Sequence, residues 1–164
     1  MKFGLSPCQE KVRWEHTVEQ CVKAEEWGYD SIWIQEHHSV EEGYYPSLWP
    51  VLGGIAAHTK TIQLGTGVLI VPFYHPFHIA EDATMVDVIS NGRMVLGLGV
   101  GYREAEFDLY GVPLKQRGSR MEEGTKVILA LFDQDEVNYD GKYYQLKGAR
   151  LLPKPIQRPR PPIW

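Results

Sequence analysis

The chain has 164 residues, of which 43% are hydrophobic and 23% are charged, enough for one soluble globular domain with its own core. The net charge of −4 argues against a nucleic-acid-binding protein, because phosphate contacts require a basic face. No window approaches the ~20 apolar residues of a membrane helix, and the first residues lack the apolar run of a signal peptide. With only Cys8 and Cys21 as cysteines, a reducing cytoplasm is the expected location.

The first half of the chain alternates short apolar runs with segments of helical spacing. The predicted strands cover residues 2–6, 30–34 and 62–71, and the predicted helices cover residues 14–28, 47–59 and 77–89. Gly28 stands where a left-handed residue commonly ends a helix. Pro50 falls in the first turn of the second helix, where proline is tolerated, and Gly53-Gly54 indicates close packing of that helix.

Residues 90–111 are the most distinctive stretch of the second half. A turn leads into a short apolar run, and Gly97, Gly99 and Gly101 then alternate with larger residues before a charged helical segment. This pattern predicts a fourth strand whose backbone approaches a ligand closely. A helix over 117–132 and a hairpin over 136–146, turning at Asp140-Gly141, follow, and residues 162–164 have the pattern of a new strand.

The order of strand and helix repeats four times, which predicts an α/β fold with a parallel sheet. Two architectures fit this order, a doubly wound open sheet and a (β/α)8 TIM barrel. A complete barrel needs roughly 250 residues. We therefore expect residues 1–164 to be a single truncated domain, the first half or a fragment of a barrel.

In both architectures, catalytic residues lie at the C-terminal ends of the strands. His37 and His38 follow the second predicted strand, and strand alternation sends their side chains in opposite directions. One of them is a candidate general acid or base, because histidine titrates near working pH. The alternative is a partly buried histidine that only hydrogen-bonds to its neighbours.

The ends of the other predicted strands contribute further candidate site residues: Ser6, Pro7 and Cys8, then Val71, Pro72, Tyr74 and His75, and then residues 99–103. The aromatic loop 42–46 is a candidate pocket wall.

Other kinds of site are less well supported. Glu36, His37, His38, His75 and His78 are possible metal ligands, but no H-E-x-x-H or paired C-x-x-C motif occurs, so no metal is predicted. Residues 97–102 differ from the dinucleotide fingerprint because Tyr102 stands where it needs glycine.

Several charged residues have more than one interpretation. Glu104, Glu106 and Asp108 have the pattern of a solvated helix face rather than of a catalytic set. Arg120, at the head of the last predicted helix, could bind a phosphate bidentately or pair with a nearby carboxylate.

Taken together, these segments resemble the bacterial luciferase-like monooxygenase superfamily, which includes flavin-dependent monooxygenases and oxidoreductases that use coenzyme F420. The resemblance runs the whole length in the family's order. The matching segments are residues 1–4, 28–33 with 36–38, 64–68 running into Pro72, 75–76, 80–82, 90–93 leading into 97–101, Glu106-Phe107 with Gly111, and 153–157.

The resemblance implies a (β/α)8 TIM barrel of which this chain supplies the first four βα units and the start of the fifth strand. It implies FMN or F420 at the C-terminal rim, with His37 as the catalytic residue and a non-proline cis peptide at Gly67-Val68 behind the cofactor ring. The residues expected to bind the cofactor are Gly67, Val68, Gly99, Gly101 and Arg120. Luciferase carries cysteine and arginine where this chain has Gly99 and Val100, which leaves one phosphate contact and light emission without matching residues.

The expected activity is an oxidoreductase or monooxygenase that uses reduced FMN and O2 to transfer one oxygen atom to a small organic substrate. An F420-dependent hydride-transfer enzyme is the alternative, and a non-catalytic flavoprotein or assembly subunit is the alternative of another class. Family dimers imply a homodimer through residues 47–59 and 77–89. The second barrel half supplies much of the family's phosphate pocket, so we expect the isolated 164 residues to be inactive and to bind free FMN or F420 weakly or not at all.

Overall fold

The computed structural model describes residues 1–9 and 13–164. The helices are α1 (Trp14–Glu26), α2 (Leu48–His58), α3 (Pro76–Ile89), α4 (Glu104–Leu109) and α5 (Arg117–Asp133). The strands are β1 (Gly4–Leu5), β2 (Ser31–Ile34), β3 (Gln63–Thr66), β4 (Leu69–Ile70), β5 (Met94–Val95), β6 (Leu98–Gly99), β7 (Val137–Asp140) and β8 (Gln145–Ala149). None of the helices in these ranges has the length and apolar character needed to cross a membrane.

The main sheet has the strand order β1-β2-β3-β5, and all of its pairs are parallel. Its register places Ile32 beside Leu64, and Leu64 beside Met94, so these three buried side chains share one face. Helices separate successive strands, as parallel connections require. The predicted α/β fold with a parallel sheet is confirmed.

The third and fourth predicted strands are each divided into two short pieces. β3 and β4 are separated at the Gly67–Val68 peptide bond, which is cis as expected. β4 pairs in parallel with β6 in a second, two-stranded sheet. Thr66 joins the two breaks, because its Oγ1 donates to the carbonyl of Gly97 at 2.7 Å and accepts from the Gly97 N–H at 2.8 Å. The prediction of one continuous strand over 62–71 was wrong, since the break between Thr66 and Leu69 interrupts the hydrogen-bonded ladder.

The hairpin is present, with β7 and β8 antiparallel, but its turn is longer than predicted. Residues 141–144 connect the strands, where the sequence suggested a tight turn at Asp140-Gly141. The reason lies in α5, because Glu123 Oε1 accepts the N–H groups of Tyr143 and Tyr144 at 2.8 and 2.9 Å. These bonds hold both tyrosines out of the ladder.

Close packing and buried hydrogen bonds determine how the helices lie on the sheet. A Cβ on Gly54 would lie 2.6 Å from the Trp14 ring, so glycine lets α1 and α2 approach. The buried Asp87 carboxylate accepts hydrogen bonds from the N–H groups of Ile156 and Gln157 at 2.7 and 3.0 Å. These bonds attach the segment after β8 to α3. Ile163 then forms a parallel bridge with Leu96, as the strand-like pattern of residues 162–164 predicts.

Candidate active site

A cleft of about 520 Å³ opens at the C-terminal ends of β2, β4 and β6. This volume lies within the usual range for small-molecule sites, ~300–1,000 Å³. The lining residues are Gln35, Glu36, His37, Tyr44, Gly67, Val68, Ile70, Gly99, Val100, Gly101 and Tyr102. The cleft thus brings together His37, Gly67, Val68, Gly99 and Gly101, all predicted as site residues. Tyr44 comes from the aromatic loop proposed as a pocket wall.

His37 is the polar side chain of this cleft with the most specific surroundings. Its Nδ1 lies 3.1 Å from Glu106 Oε1, and its side chain keeps 21% exposure, whereas that of Glu106 keeps 3%. The ring of Tyr44 meets the imidazole edge-on at 4.8 Å, and the ring of Tyr102 lies at 6.4 Å. His37 is therefore held on one edge while it stays accessible from the cleft.

Glu106 was missed by the sequence analysis. The prediction of a solvated face over Glu104, Glu106 and Asp108 was wrong for Glu106, which is 3% exposed. The short helix α4 turns this carboxylate inward beside the buried Phe107, where it accepts bonds from His37 and from the His38 N–H at 3.0 Å. The signal in the sequence was the Glu106-Phe107 pair itself, one of the segments that resemble the family.

The neighbouring histidine points away from the cleft into a second network. His38 Nε2 lies 2.7 Å from Glu36 Oε1, and its Nδ1 lies 3.0 Å from the Tyr110 hydroxyl. The Tyr74 hydroxyl donates to the same Glu36 oxygen, and the Ile70 N–H donates to Glu36 Oε2 at 2.7 Å. Burial, with the Glu36 carboxylate as a further cause, raises the pKa of both Tyr74 and Tyr110. Both hydroxyls therefore remain protonated donors.

Three glycines at or near the cleft, Gly97, Gly99 and Gly101, are explained by strand packing. A Cβ on Gly97 would lie 2.1 Å from the Thr66 carbonyl oxygen, and a Cβ on Gly99 would lie 2.2 Å from Val68 Cγ2. Gly101 has a φ of +72°, and a Cβ there would lie 2.8 Å from Ile70. Each glycine thus makes room for the neighbouring segment, and the exposed Val68 side chain, at 43%, remains at the surface of the cleft.

Arg120 lies outside this group. At the start of α5, its Nε donates to Gln116 Oε1 at 3.1 Å, and its guanidinium carbon lies 4.6 Å from the centre of the Tyr143 ring. The buried hydroxyl of Tyr144 lacks a hydrogen-bond partner within the part of the chain that the structure describes. Burial raises the pKa of Tyr144, and the nearby Arg120 opposes this rise. A phosphate-binding role for Arg120 stays a prediction.

Other candidates from the sequence have structural surroundings of their own. Cys8 is exposed and Cys21 is buried, and both are free thiols. Across residues 1–9 and 13–164, no group of three or more His, Cys, Asp and Glu side chains is arranged to hold a metal ion. A second cavity of about 460 Å³ adjoins Glu106 and His38, and it is lined by residues 38–40, 103–106 and Leu109.

The chain resembles known proteins over its whole length. The family model for luciferase-like monooxygenases matches residues 2–164. The oxygenase component of the flavin-dependent trigonelline monooxygenase of Acinetobacter baylyi is 32% identical, over 100% of this chain and 48% of that protein. The F420-dependent glucose-6-phosphate dehydrogenase of Amycolatopsis mediterranei is 35% identical, over 96% of this chain and 49% of that protein.

Among solved structures, the monooxygenase RslO1 from Streptomyces bottropensis matches with a TM-score of 0.91 and 29% identity, over 99% of this chain and 52% of that one. The chain thus spans about half the length of these relatives. The match of the family model, the identity with the curated relatives and the cleft at the strand ends agree with the family named from the sequence. The chain belongs to the luciferase-like monooxygenase family.

Proposed function

We propose that this chain carries one part of the cofactor site of a luciferase-like oxidoreductase that uses reduced FMN and O2 to oxygenate a small organic substrate. The observation that carries the proposal is the cleft in which His37 and the backbone of Gly67, Gly99 and Gly101 meet at the strand ends. The described strands correspond in this proposal to the first four βα units of a (β/α)8 barrel, with Ile163 beginning the fifth strand.

The residues of the cleft fit a flavin or deazaflavin ring. The volume of about 520 Å³ suits a planar heterocycle, and the wall combines aromatic and aliphatic side chains with exposed backbone. His37 Nε2 has no hydrogen-bond partner among residues 1–9 and 13–164 and remains available to a bound molecule. Arg120, whose guanidinium makes no salt bridge within those ranges, is the proposed phosphate ligand.

When bound, the cofactor supplies the electrons and the reaction with oxygen, which amino-acid side chains cannot provide. The protein positions the reactants and restricts water, with Tyr44, Val68 and Tyr102 around the mouth of the cleft. His37 exchanges a proton at Nε2 with the bound reactants. Its other nitrogen is engaged by Glu106.

The second candidate function is F420-dependent hydride transfer, favoured by the 35% identity with a dehydrogenase named for that coenzyme. The same cleft and histidine would serve, with His37 as the proton partner of the hydride step. We also propose a cytoplasmic homodimer through residues 47–59 and 77–89. The exposed apolar side chains of Met85 and Ile89 on α3, at 43% and 53%, are consistent with such an interface.

Isotopic oxygen separates the two functions. An active preparation containing this chain is supplied with reduced FMN, reduced F420 or oxidised F420, a panel of small organic substrates, and O2 enriched in the heavy isotope. We expect the product formed with FMN to carry one labelled oxygen atom by mass spectrometry, whereas hydride transfer leaves the product unlabelled. A preparation that neither oxidises a reduced cofactor nor reduces oxidised F420 would contradict both and favour a non-catalytic subunit.

Cofactor affinity is a separate expectation. We propose that the 164 residues alone bind free FMN or F420 weakly or not at all, because the chain spans about half the length of its relatives. Fluorescence titration measures this directly. A micromolar dissociation constant for either cofactor would overturn it.

A further inference from the structure

The carboxylate of Glu106 has a position that packing alone does not require. It is 3% exposed and lies on the six-residue helix α4, where both neighbouring acidic residues, Glu104 and Asp108, face solvent. Burial of a carboxylate is costly unless donors compensate it. Within the described part of the chain, one oxygen, Oε1, receives both contacts, from the His37 ring and from the His38 N–H.

The chemistry of these contacts determines which nitrogen of His37 carries the proton. An ionised carboxylate has only acceptor atoms, so the Nδ1 that lies 3.1 Å from it must be the protonated one. In neutral imidazole, the other nitrogen is then an unprotonated acceptor. That nitrogen, Nε2, belongs to the ring that lines the cleft.

We propose that Glu106 is the positioning residue of the cleft histidine, fixing its ring and its Nδ1–H tautomer so that Nε2 faces bound reactants as the proton acceptor. This inference rests on the proposed function for its catalytic consequence, but not for the tautomer. When Nε2 takes a proton from a reactant, the imidazolium forms beside a buried negative charge that stabilises it. When the proton returns from Nε2, the starting tautomer is restored and no further reactant is needed.

The same carboxylate also fixes the backbone beside the ring. Its bond to the His38 N–H sets the direction of the 37–38 dipeptide as it leaves β2. The ring of Tyr44 also contacts the imidazole edge-on, with 4.8 Å between the ring centres. The hydrogen bond to Glu106 and the contact with Tyr44 both oppose rotation of the ring, as positioning for proton transfer requires.

The tautomer is measurable in this chain without turnover. The protein is labelled with nitrogen-15 in histidine only, and two-bond correlations between ring protons and nitrogens are recorded at about pH 8, above the ordinary titration range of histidine. His37→Gln identifies the His37 signals by their loss. We expect a protonated Nδ1 and an unprotonated Nε2 at His37.

Two variants of Glu106 distinguish the effect of its acceptor oxygen from the effect of its size. Glu106→Leu removes the acceptor, and we expect the His37 proton to move to Nε2, the form that free imidazole side chains prefer. Glu106→Gln keeps an acceptor oxygen and is expected to retain the Nδ1–H form. Asp108→Asn, at an exposed position of the same helix, is the matched control and should leave the His37 signals unchanged.

A wild-type spectrum with unprotonated Nδ1 at His37 overturns the proposal, even when Glu106→Leu fails to fold. An unchanged tautomer in a folded Glu106→Leu variant also overturns it. In an active preparation, Glu106→Leu should lower kcat by at least ~10-fold with an unchanged KM, and Glu106→Gln should lose less. If instead His37→Gln leaves turnover unchanged, the proposed role of His37 fails while the tautomer result stands.

Discussion

Two histidine–carboxylate pairs lie side by side in this protein, and they differ in what surrounds them. His37 and Glu106 border the cleft, and the histidine side chain keeps 21% exposure. His38 and Glu36 are enclosed, with side-chain exposures of 8% and 0%. Both pairs begin at consecutive residues after β2, and strand alternation sends them to opposite sides. The same two residue types therefore border the candidate site in one case and hold the strand ends together in the other.

The enclosed pair also has more internal partners. Glu36 is contacted by the His38 ring, the Tyr74 hydroxyl and the Ile70 N–H, and thereby joins β2 to β4 and the segment that follows it. Within residues 1–9 and 13–164, the Glu106 carboxylate has two hydrogen-bond contacts, to the His37 ring and the His38 N–H. We therefore expect loss of the first carboxylate to affect mainly stability, and loss of the second to affect mainly the site.

The largest effect on stability is expected for Glu36→Ala. It leaves a buried histidine nitrogen, a tyrosine hydroxyl and a backbone N–H without a partner, and we expect a loss of about 3–5 kcal/mol in the free energy of unfolding. Urea denaturation followed by circular dichroism measures this. Glu106→Gln is the control and should lose clearly less. Equal losses in the two variants would erase the distinction between the pairs.

For catalysis, the order of the pairs is reversed. In an active preparation, His37→Ala should lower kcat by roughly 10²–10⁴, the usual contribution of a general acid or base. Its free energy of unfolding should fall by about 1–2 kcal/mol, because the buried Glu106 carboxylate loses one of its donors while the ring itself is partly exposed. His38→Ala should instead reduce stability more than His37→Ala. Unchanged turnover in His37→Ala would remove that residue from the mechanism.

Glu25 extends the comparison to a carboxylate held by backbone donors. Burial favours a higher pKa, but bonds from the N–H groups of Thr61, Ile62 and Lys60 outweigh it and lower the pKa of Glu25 to about 2. The folded pKa is depressed, so the stability it contributes is present above pH 4.5 and is lost as pH falls towards 2.

After discounting for solvent screening, we expect Glu25→Gln to lose ~1 kcal/mol of stability near neutral pH. The difference from the wild type should shrink as the pH falls below 4.5, which urea denaturation at several pH values would detect. A difference that stays constant down to the acid transition would show that the charge is not responsible. Unlike the two histidine pairs, this carboxylate has partners that do not titrate.

The smallest effect is expected for the exposed pair His78–Glu81, with side-chain exposures of 76% and 40%. Its members are separated by 3.4 Å on the surface of α3. Exposed pairs contribute little, and we expect His78→Ala to change the free energy of unfolding by less than ~0.5 kcal/mol. A loss of more than about 1 kcal/mol would mean that side-chain exposure does not predict how much these pairs stabilise the fold.

Much of the fold was predictable because its periodicities are strong. The helices α1, α2, α3 and α5 lie within a few residues of their predictions, and the parallel strand order follows from their alternation. The breaks of the third and fourth strands were not predictable from local pattern. They depend on Thr66, which bonds both backbone groups of Gly97 across the sheet. A single contact between two segments that are distant in the sequence does not change the hydrophobic periodicity of either segment.

The residues of the candidate site also fall into a group that the sequence predicted and a group that only the structure revealed. The sequence by itself determined the parallel α/β plan, the family, and the presence of His37 and the glycines at the strand ends, because these follow from alternation and from residue type. Only the tertiary structure decided that Glu106 turns inward to His37 and that Arg120 packs on Tyr143. A charged residue on a short helix can face solvent or core, and the choice depends on donors that other segments bring to it.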